Sequence, residues 1–247
     1  NAGAKCSAGC TGSIIKSAGF DPNVPGTYAY TVRCTNPDNC YSEDVGYVTV
    51  NPLPIVSVNA QSACVGAAEA ILTATTTGTV CSSALTYKWY KGTSTTALSD
   101  DAKYSGTATA DLHIKNIVPA DADSYKVEVT CPATGCSKSV TETLTVNPLP
   151  VVSVSPQSAC VGAAKATLTA TTTGTVCASP ALTYKWYKGT STTALSDGAK
   201  YSGTATADLE IKNIVTGDAD SYKVEFTCPA TGCTNSNSGT LTVNPLP

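Results

Sequence analysis

In 247 residues the chain has one histidine and no methionine. A single imidazole excludes any mechanism that needs two, and it argues against zinc sites of mixed Cys/His type. No methionine means no initiator, and no charged stretch followed by an apolar one opens the chain at Asn1. A chain processed or excised from a longer one is therefore expected. Charge is scarce too. Asp, Glu, Lys and Arg make up 13%, against roughly 25% in an average soluble domain, and Thr, Ala and Ser fill their place. A formal net charge of -3 gives too weak a field for nucleic acid or for an electrostatically held membrane partner. No run approaches the ~18 consecutive apolar residues of a membrane helix, so no membrane insertion is expected. No nucleophile elbow, phosphate loop or Ser/His/Asp set occurs, so neither catalysis nor a cofactor is expected.

What the chain does have is cysteine, 12 residues of it. Without redox or haem motifs, that many cysteines suit an oxidising compartment. The expected location is outside the cell or on its surface. With 42% hydrophobic residues, the chain can also build a core.

The organisation is repetitive. Asn-Pro-Leu-Pro occurs at Asn51–Pro54, Asn147–Pro150 and Asn244–Pro247. Cys64 recurs as Cys160, 96 positions on, and Trp89 as Trp186, 97 positions on. The one-residue difference lies in Cys177-Ala178-Ser179-Pro180-Ala181, against Cys81-Ser82-Ser83-Ala84. Beyond it Tyr125 matches Tyr222, and Cys131 matches Cys228. Such identity marks a tandem array of modules near 97 residues long. Residues 1–50 hold only the back half of a third module. VPGTYAYTVRC (Val24 to Cys34) aligns with DSYKVEVTC, which ends at Cys131. CTNPDNC (Cys34 to Cys40) aligns with CPATGC (Cys131 to Cys136). The expected division is 1–50, 51–147 and 148–247.

Each full module reads as strands. Leu72–Thr77, Leu85–Lys91, Ala110–Ile117, Ser124–Thr130 and Thr141–Asn147 alternate or are rich in β-branched residues. Gly, Asp, Asn and Pro separate them. No stretch keeps a 3.6-residue period behind a capping box. About seven short strands per module predict a sandwich of two antiparallel sheets.

ACVGAAEAILTA (Ala63–Ala74), Trp89-Tyr90-Lys91, KYSGTATADLHIKNI (Lys103–Ile117) and DADSY (Asp121–Tyr125) follow in the order of an immunoglobulin-type domain, and the chain resembles that family. The PLP linkers and the Cys-x-Gly before strand B also resemble the Ig-like repeats of large Bacteroidota surface adhesins. The resemblance covers Ile55–Asn147 and Val151–Asn244, and Gly12–Asn51 in part. It implies tandem all-β sandwiches with Trp89 and Trp186 as the core Trp of strand C. It implies that Tyr125 and Tyr222 are the tyrosine-corner residues of strand F. It also implies that Lys103 and Lys200 pair with Asp121 and Asp218. The family's inter-sheet cystine is missing. Its places hold Ala74 with Val127, and Ala170 with Val224.

In that register Cys81 lies in the B–C loop, and Cys131 and Cys136 bracket the F–G loop at the same end. Cys64 follows strand A at the other end, roughly 20 Å away, too far for a disulfide within the module. Cys81–Cys131 is the preferred bond, with Cys81–Cys136 or a Cys131–Cys136 clip as rivals. Cys64 is left with Cys136 by elimination, or with Cys233 or Cys228 of the next module across the short Pro linker. Cys160 would then meet a cysteine beyond this chain. Cys177 occupies the place of Cys81 in the second copy. Cys6, Cys10, Cys34 and Cys40 supply at most two cystines to the first 50 residues.

The other candidates have plain structural readings. His113 alternates with inward Leu112 and Ile114, so it points outward; its counterpart is Glu210. Asp121/Asp123 and Asp218/Asp220 could ligate calcium, but a salt bridge and a turn explain them better. Asp100 and Asp101 could extend such a site, but the second copy has Asp197-Gly198. Tyr90 and Tyr187 remain as sugar-stacking candidates, since the register puts Tyr104 and Tyr201 in the core. Strands E, F and G of the partial module are expected near Ser13–Ala18, Thr27–Arg33 and Tyr47–Asn51. E should then lie in one sheet, and F and G in the other. Two roles fit these readings. One is a stalk or filament segment whose partners are other copies or further modules. The other is a module that binds a surface glycan or protein receptor with the B–C and F–G loops.

Overall fold

The structure, a computed structural model, describes residues 6, 8–15, 19–78, 81–172, 177 and 181–247. Its first three strands are β1 (Thr11–Ile15), β2 (Gly26–Thr35) and β3 (Tyr41–Val50), which form one antiparallel sheet in the order β1-β2-β3. The β2–β3 hairpin runs from Gly26 opposite Val50 to Thr35 opposite Tyr41. Here the expectation of an E strand across the sandwich fails. β1 hydrogen-bonds β2 directly, with Ile14 opposite Val32 and Ile15 opposite Thr31. The edge of β2 away from β3 would otherwise present unpaired N–H and C=O groups. In a complete module the Trp strand fills that edge; here β1 takes it. The last part of the expected strand, residues 16–18, lies outside the described residues.

The next eight strands are β4 (Ile55–Val58), β5 (Gln61–Cys64), β6 (Glu69–Thr77), β7 (Thr86–Lys91), β8 (Tyr104–Ser105), β9 (Asp111–Lys115), β10 (Asp123–Thr130) and β11 (Ser137–Asn147). They form two four-stranded sheets, β4-β6-β9-β8 and β5-β11-β10-β7. In immunoglobulin lettering these are A-B-E-D and A′-G-F-C. Strand A is split. β4 pairs antiparallel with β6, Ile55 opposite Thr77. The chain then crosses, and β5 runs parallel to β11, with Gln61 opposite Leu144 and Cys64 opposite Asn147.

The second copy repeats this with β12 (Val152–Val154), β13 (Gln157–Cys160), β14 (Lys165–Thr172), β15 (Thr183–Lys188), β16 (Tyr201–Ser202), β17 (Asp208–Lys212), β18 (Asp220–Thr227) and β19 (Thr234–Asn244). Its sheets are β12-β14-β17-β16 and β13-β19-β18-β15. The chain is all-β, with tandem, disulfide-bonded immunoglobulin-like sandwiches.

Period-two alternation explains the packing. In β10, Tyr125, Val127 and Val129 are buried while Lys126 and Glu128 are not. They meet Leu72 and Ala74 from β6, Leu112 and Ile114 from β9, and Trp89, which has no solvent exposure. Each fully buried aliphatic or aromatic side chain contributes roughly 1.5–3 kcal/mol. A second core gathers Leu168, Trp186, Leu209, Ile211, Tyr222, Val224 and Phe226. The two clusters share no buried residue.

Candidate functional sites at the ends of the sandwiches

Two hydrogen bonds from buried side chains pin loops in each sandwich. The Trp89 indole N–H donates to Thr109 O at 3.0 Å, and that of Trp186 to Thr206 O at 2.9 Å. The Tyr125 hydroxyl donates to Asp121 O at 3.1 Å, and the Tyr222 hydroxyl to Asp218 O at 3.0 Å. Burial pushes both phenols well above the ordinary range of tyrosine. Asp121 is itself buried. It accepts from Lys103 Nζ at 2.5 Å and from Val118 N at 2.8 Å. The same ammonium also donates to Lys115 O and Asn116 O. Lys200, Asp218 and Val215 repeat the arrangement. With both partners satisfied the pair is affordable; removing one would leave a buried charge unpaired.

The upper end carries the loops between β6 and β7 and between β10 and β11. Cys81 is bonded to Cys131, with 5.6 Å between Cα atoms, and Cys177 to Cys228, with 5.7 Å. Closing a loop of about 50 residues contributes about 4 kcal/mol in the chain-entropy account. In the N-terminal sheet the counterpart is Cys6–Cys34, at 5.4 Å. The fourth bond joins the two sandwiches, Cys64 at the foot of the first to Cys233 in the β18–β19 turn of the second. Cys10, Cys40 and Cys136, expected in cystines within the chain, are free thiols in it, and Cys160, expected to bond a cysteine beyond the chain, is free within it. Cys136 forms neither a clip with Cys131 nor a bond with Cys64, since Cys81 and Cys233 hold those partners.

The sugar-stacking candidates are corrected as well. Tyr90 and Tyr187 are each only 9% exposed. Lys126 Nζ lies 4.3 Å over the Tyr90 ring and Lys223 Nζ 4.5 Å over Tyr187. Those faces are occupied. Tyr104 and Tyr201 pack, half-buried, against the two cores. Asp100 is a loop cap, accepting from the Thr107 hydroxyl at 2.6 Å and its N–H at 2.9 Å. Those hydrogen bonds hold its carboxyl below the usual range, as the N–H and hydroxyl of Thr204 do for Asp197. Among the described residues no group of three or more His, Cys, Asp or Glu side chains is arranged to hold a metal ion. No helix among them is long and apolar enough to cross a membrane.

One side-chain pair escapes a single-copy reading. His113 Nδ1 lies 3.1 Å from Glu69 Oε2, and in the second copy Lys165 Nζ lies 2.5 Å from Glu210 Oε1. Between the copies Glu69 becomes Lys165 and His113 becomes Glu210. The two changes move the carboxylate of the pair from the β6 strand to the counterpart of β9. That compensation, inside near-identical repeats, was the signal available in the sequence.

No family model matches the chain, and no curated protein does. Among solved structures it is similar to extracellular domains 3–5 of Drosophila OTK, at 17% identity over 87% of this chain and 70% of that one, with a TM-score of 0.43. It is similar to an I-band fragment of titin, at 16% identity over 96% and 89%, TM-score 0.41. It is also similar to immunoglobulin domains 1–4 of Sidekick-1, at 15% identity over 96% and 68%, TM-score 0.40.

Proposed function

We propose that the chain is a structural and adhesive segment of an extracellular repeat protein, a stalk or filament of a bacterial surface adhesin. It is divided into a partial module at 1–50 and complete modules at 51–147 and 148–247. The observation that carries this reading is the Cys64–Cys233 bond. A covalent tie between successive sandwiches adds nothing to the core of either. It limits rotation about the Asn147–Pro150 linker and stiffens the array. Near-identical copies extend reach without diversifying a binding surface, and the cystines suit an oxidising location outside the cell. Partners are then other copies or further modules, not a catalytic substrate. Tyr90 and Tyr187 offer no open aromatic platform for a glycan, because Lys126 and Lys223 lie over their rings. Electron microscopy of the native material tests the reading. Regular fibres or straight rods are expected. Flexible single particles that bind a glycan array would reverse it.

A further inference from the structure

The Cys64–Cys233 bond has a defined backbone setting at both of its ends, and each setting occurs again with a free thiol. At the foot, β5 ends in Cys64 opposite Asn147, Val65 N donates to Asn147 O at 2.9 Å, and Gly66 has φ 81°. At the other foot, β13 ends in Cys160 opposite Asn244, Val161 N donates to Asn244 O at 2.9 Å, and Gly162 has φ 81°. At the head, Cys233 follows Gly232, φ 71°, in the β18–β19 turn. Cys40 follows Asn39, φ 62°, in the β2–β3 turn, and its carbonyl closes that turn by accepting from Asn36 N at 2.9 Å. Cys40 and Cys160 are both exposed. Cys160 ends β13 at the foot of the second sandwich, and Cys40 sits in the β2–β3 turn of the N-terminal sheet. Cys136 has the same turn geometry, following Gly135 at φ 72°. Cys136 is less exposed than Cys40 or Cys160.

We propose that Cys160 of one copy forms a disulfide with Cys40 of a second copy, joining chains head to tail by the same link that joins the two sandwiches. This rests on, and makes specific, the filament reading above. The contact is heterologous and does not close on itself, so it propagates. Apolar side chains flank both thiols: Tyr41, beside Cys40, is 62% exposed, and Leu246, beyond Asn244, is 65% exposed. At the joined foot the counterpart of Leu246, Leu149, is half-buried. The chemistry is thiol–disulfide exchange with a small disulfide such as oxidised glutathione. The Cys160 thiolate attacks one glutathione sulfur, breaks its S–S bond and releases one reduced glutathione. The Cys40 thiolate then displaces the second glutathione as the Cys40–Cys160 bond forms. Two thiols are oxidised and one disulfide is reduced.

The test uses the whole 247-residue chain in a glutathione redox buffer, followed by non-reducing electrophoresis and mass mapping of cross-linked peptides. A ladder of multimers is expected, with Cys40–Cys160 as its linking peptide. Cys160→Ser and Cys40→Ser should each abolish the ladder, and mixing these two variants should give dimers and nothing longer. Cys10→Ser should leave it intact. A ladder that persists in Cys160→Ser, links mapped to Cys10 or Cys160–Cys160, or no intermolecular bond at all would overturn the proposal. Its failure is separable from that of the filament reading. Fibres that form unchanged from Cys160→Ser keep the filament and sink the bond, whereas mapped Cys40–Cys160 links without fibres or rods do the reverse.

Discussion

Cys64 and Cys233 are 169 residues apart in sequence, yet their Cα atoms lie 5.6 Å apart and their sulfurs are bonded. Cys64 closes the short strand that runs parallel to β11, and Cys233 sits in the turn opening β19. Replacing both by Ser should leave each core folded, since neither residue belongs to either cluster. The loss should appear at the joint. Limited proteolysis should cut the Asn147–Pro150 linker several-fold faster, and small-angle scattering should show a broader spread of lengths. The bond closes a loop worth about 5 kcal/mol in the chain-entropy account. Most of that should register only when both sandwiches unfold together. An unchanged cleavage rate would mean that packing alone holds the joint.

Separate cores make a prediction about Trp89. Trp89→Ala should cost about 3–5 kcal/mol, as a large core truncation does, and the damage should stay in the sandwich built by β4–β11. Calorimetry should then resolve two transitions, one shifted down and one near its original temperature. Trp186→Ala should shift the other. A single transition moving as a whole would show that the Cys64–Cys233 tie couples unfolding of the two units.

Much of this was legible from residue spacing. The Trp89, Tyr125, Asp121 and Lys103 set reads out because a buried indole, a corner hydroxyl and a satisfied buried carboxylate each demand one residue type at one place. The loop cystine Cys81–Cys131 follows from strand direction and a fixed reach. What stayed hidden depends on choices that spacing does not encode. The crossing of strand A between sheets happens over Asn59 and Ala60, which carry no distinctive signal. β1 could pair across the sandwich or beside β2, and no pattern in Thr11–Ile15 states which. Tyr90 looked open because alternation turns it outward, but a Lys126 ammonium lies over its ring. Alternation gives the direction of a side chain, and it is silent about a neighbour's long reach.

The corner tyrosines predict behaviour at high pH. Burial raises the folded-state pKa of Tyr125 and Tyr222 above the unfolded value, which is about 10. A group of this kind contributes stability that is fully present below the unfolded pKa. That stability falls as pH rises past about 10 and goes on falling until the folded pKa is reached. Denaturant midpoints should therefore be flat between pH 7 and 9 and should drop steadily above 10. Tyr125→Phe should lose about 1 kcal/mol at pH 7 with the hydrogen bond to Asp121 O, and its own sandwich should show a shallower alkaline decline. An equal decline in Tyr125→Phe would place the alkaline sensitivity elsewhere.

The N-terminal sheet keeps part of the module's machinery without its cover. Tyr28 donates to Val24 O at 2.8 Å, four residues back, as Tyr125 does to Asp121 O. Phe20 packs edge-on against the Tyr28 ring at 5.3 Å. Yet the face that carries Tyr28 and Val32 also carries Ile14, 74% exposed, and Val48, 38% exposed. In the complete sandwiches the corresponding face is closed by a second sheet. Leaving even two such side chains uncovered forgoes about 3 kcal/mol, and about 50 residues with one cystine have little stability to spare. In a verified monomer, amides of Thr27–Arg33 in β2 should exchange at least ~100-fold faster than those of Tyr125–Val129 in β10, although both strands are central in their sheets. Adding a partner that covers the face should slow β2 and leave β10 alone. Equal protection of the two strands in the monomer would show that three strands and the Cys6–Cys34 bond suffice for an independent fold, and that this face is not awaiting a cover.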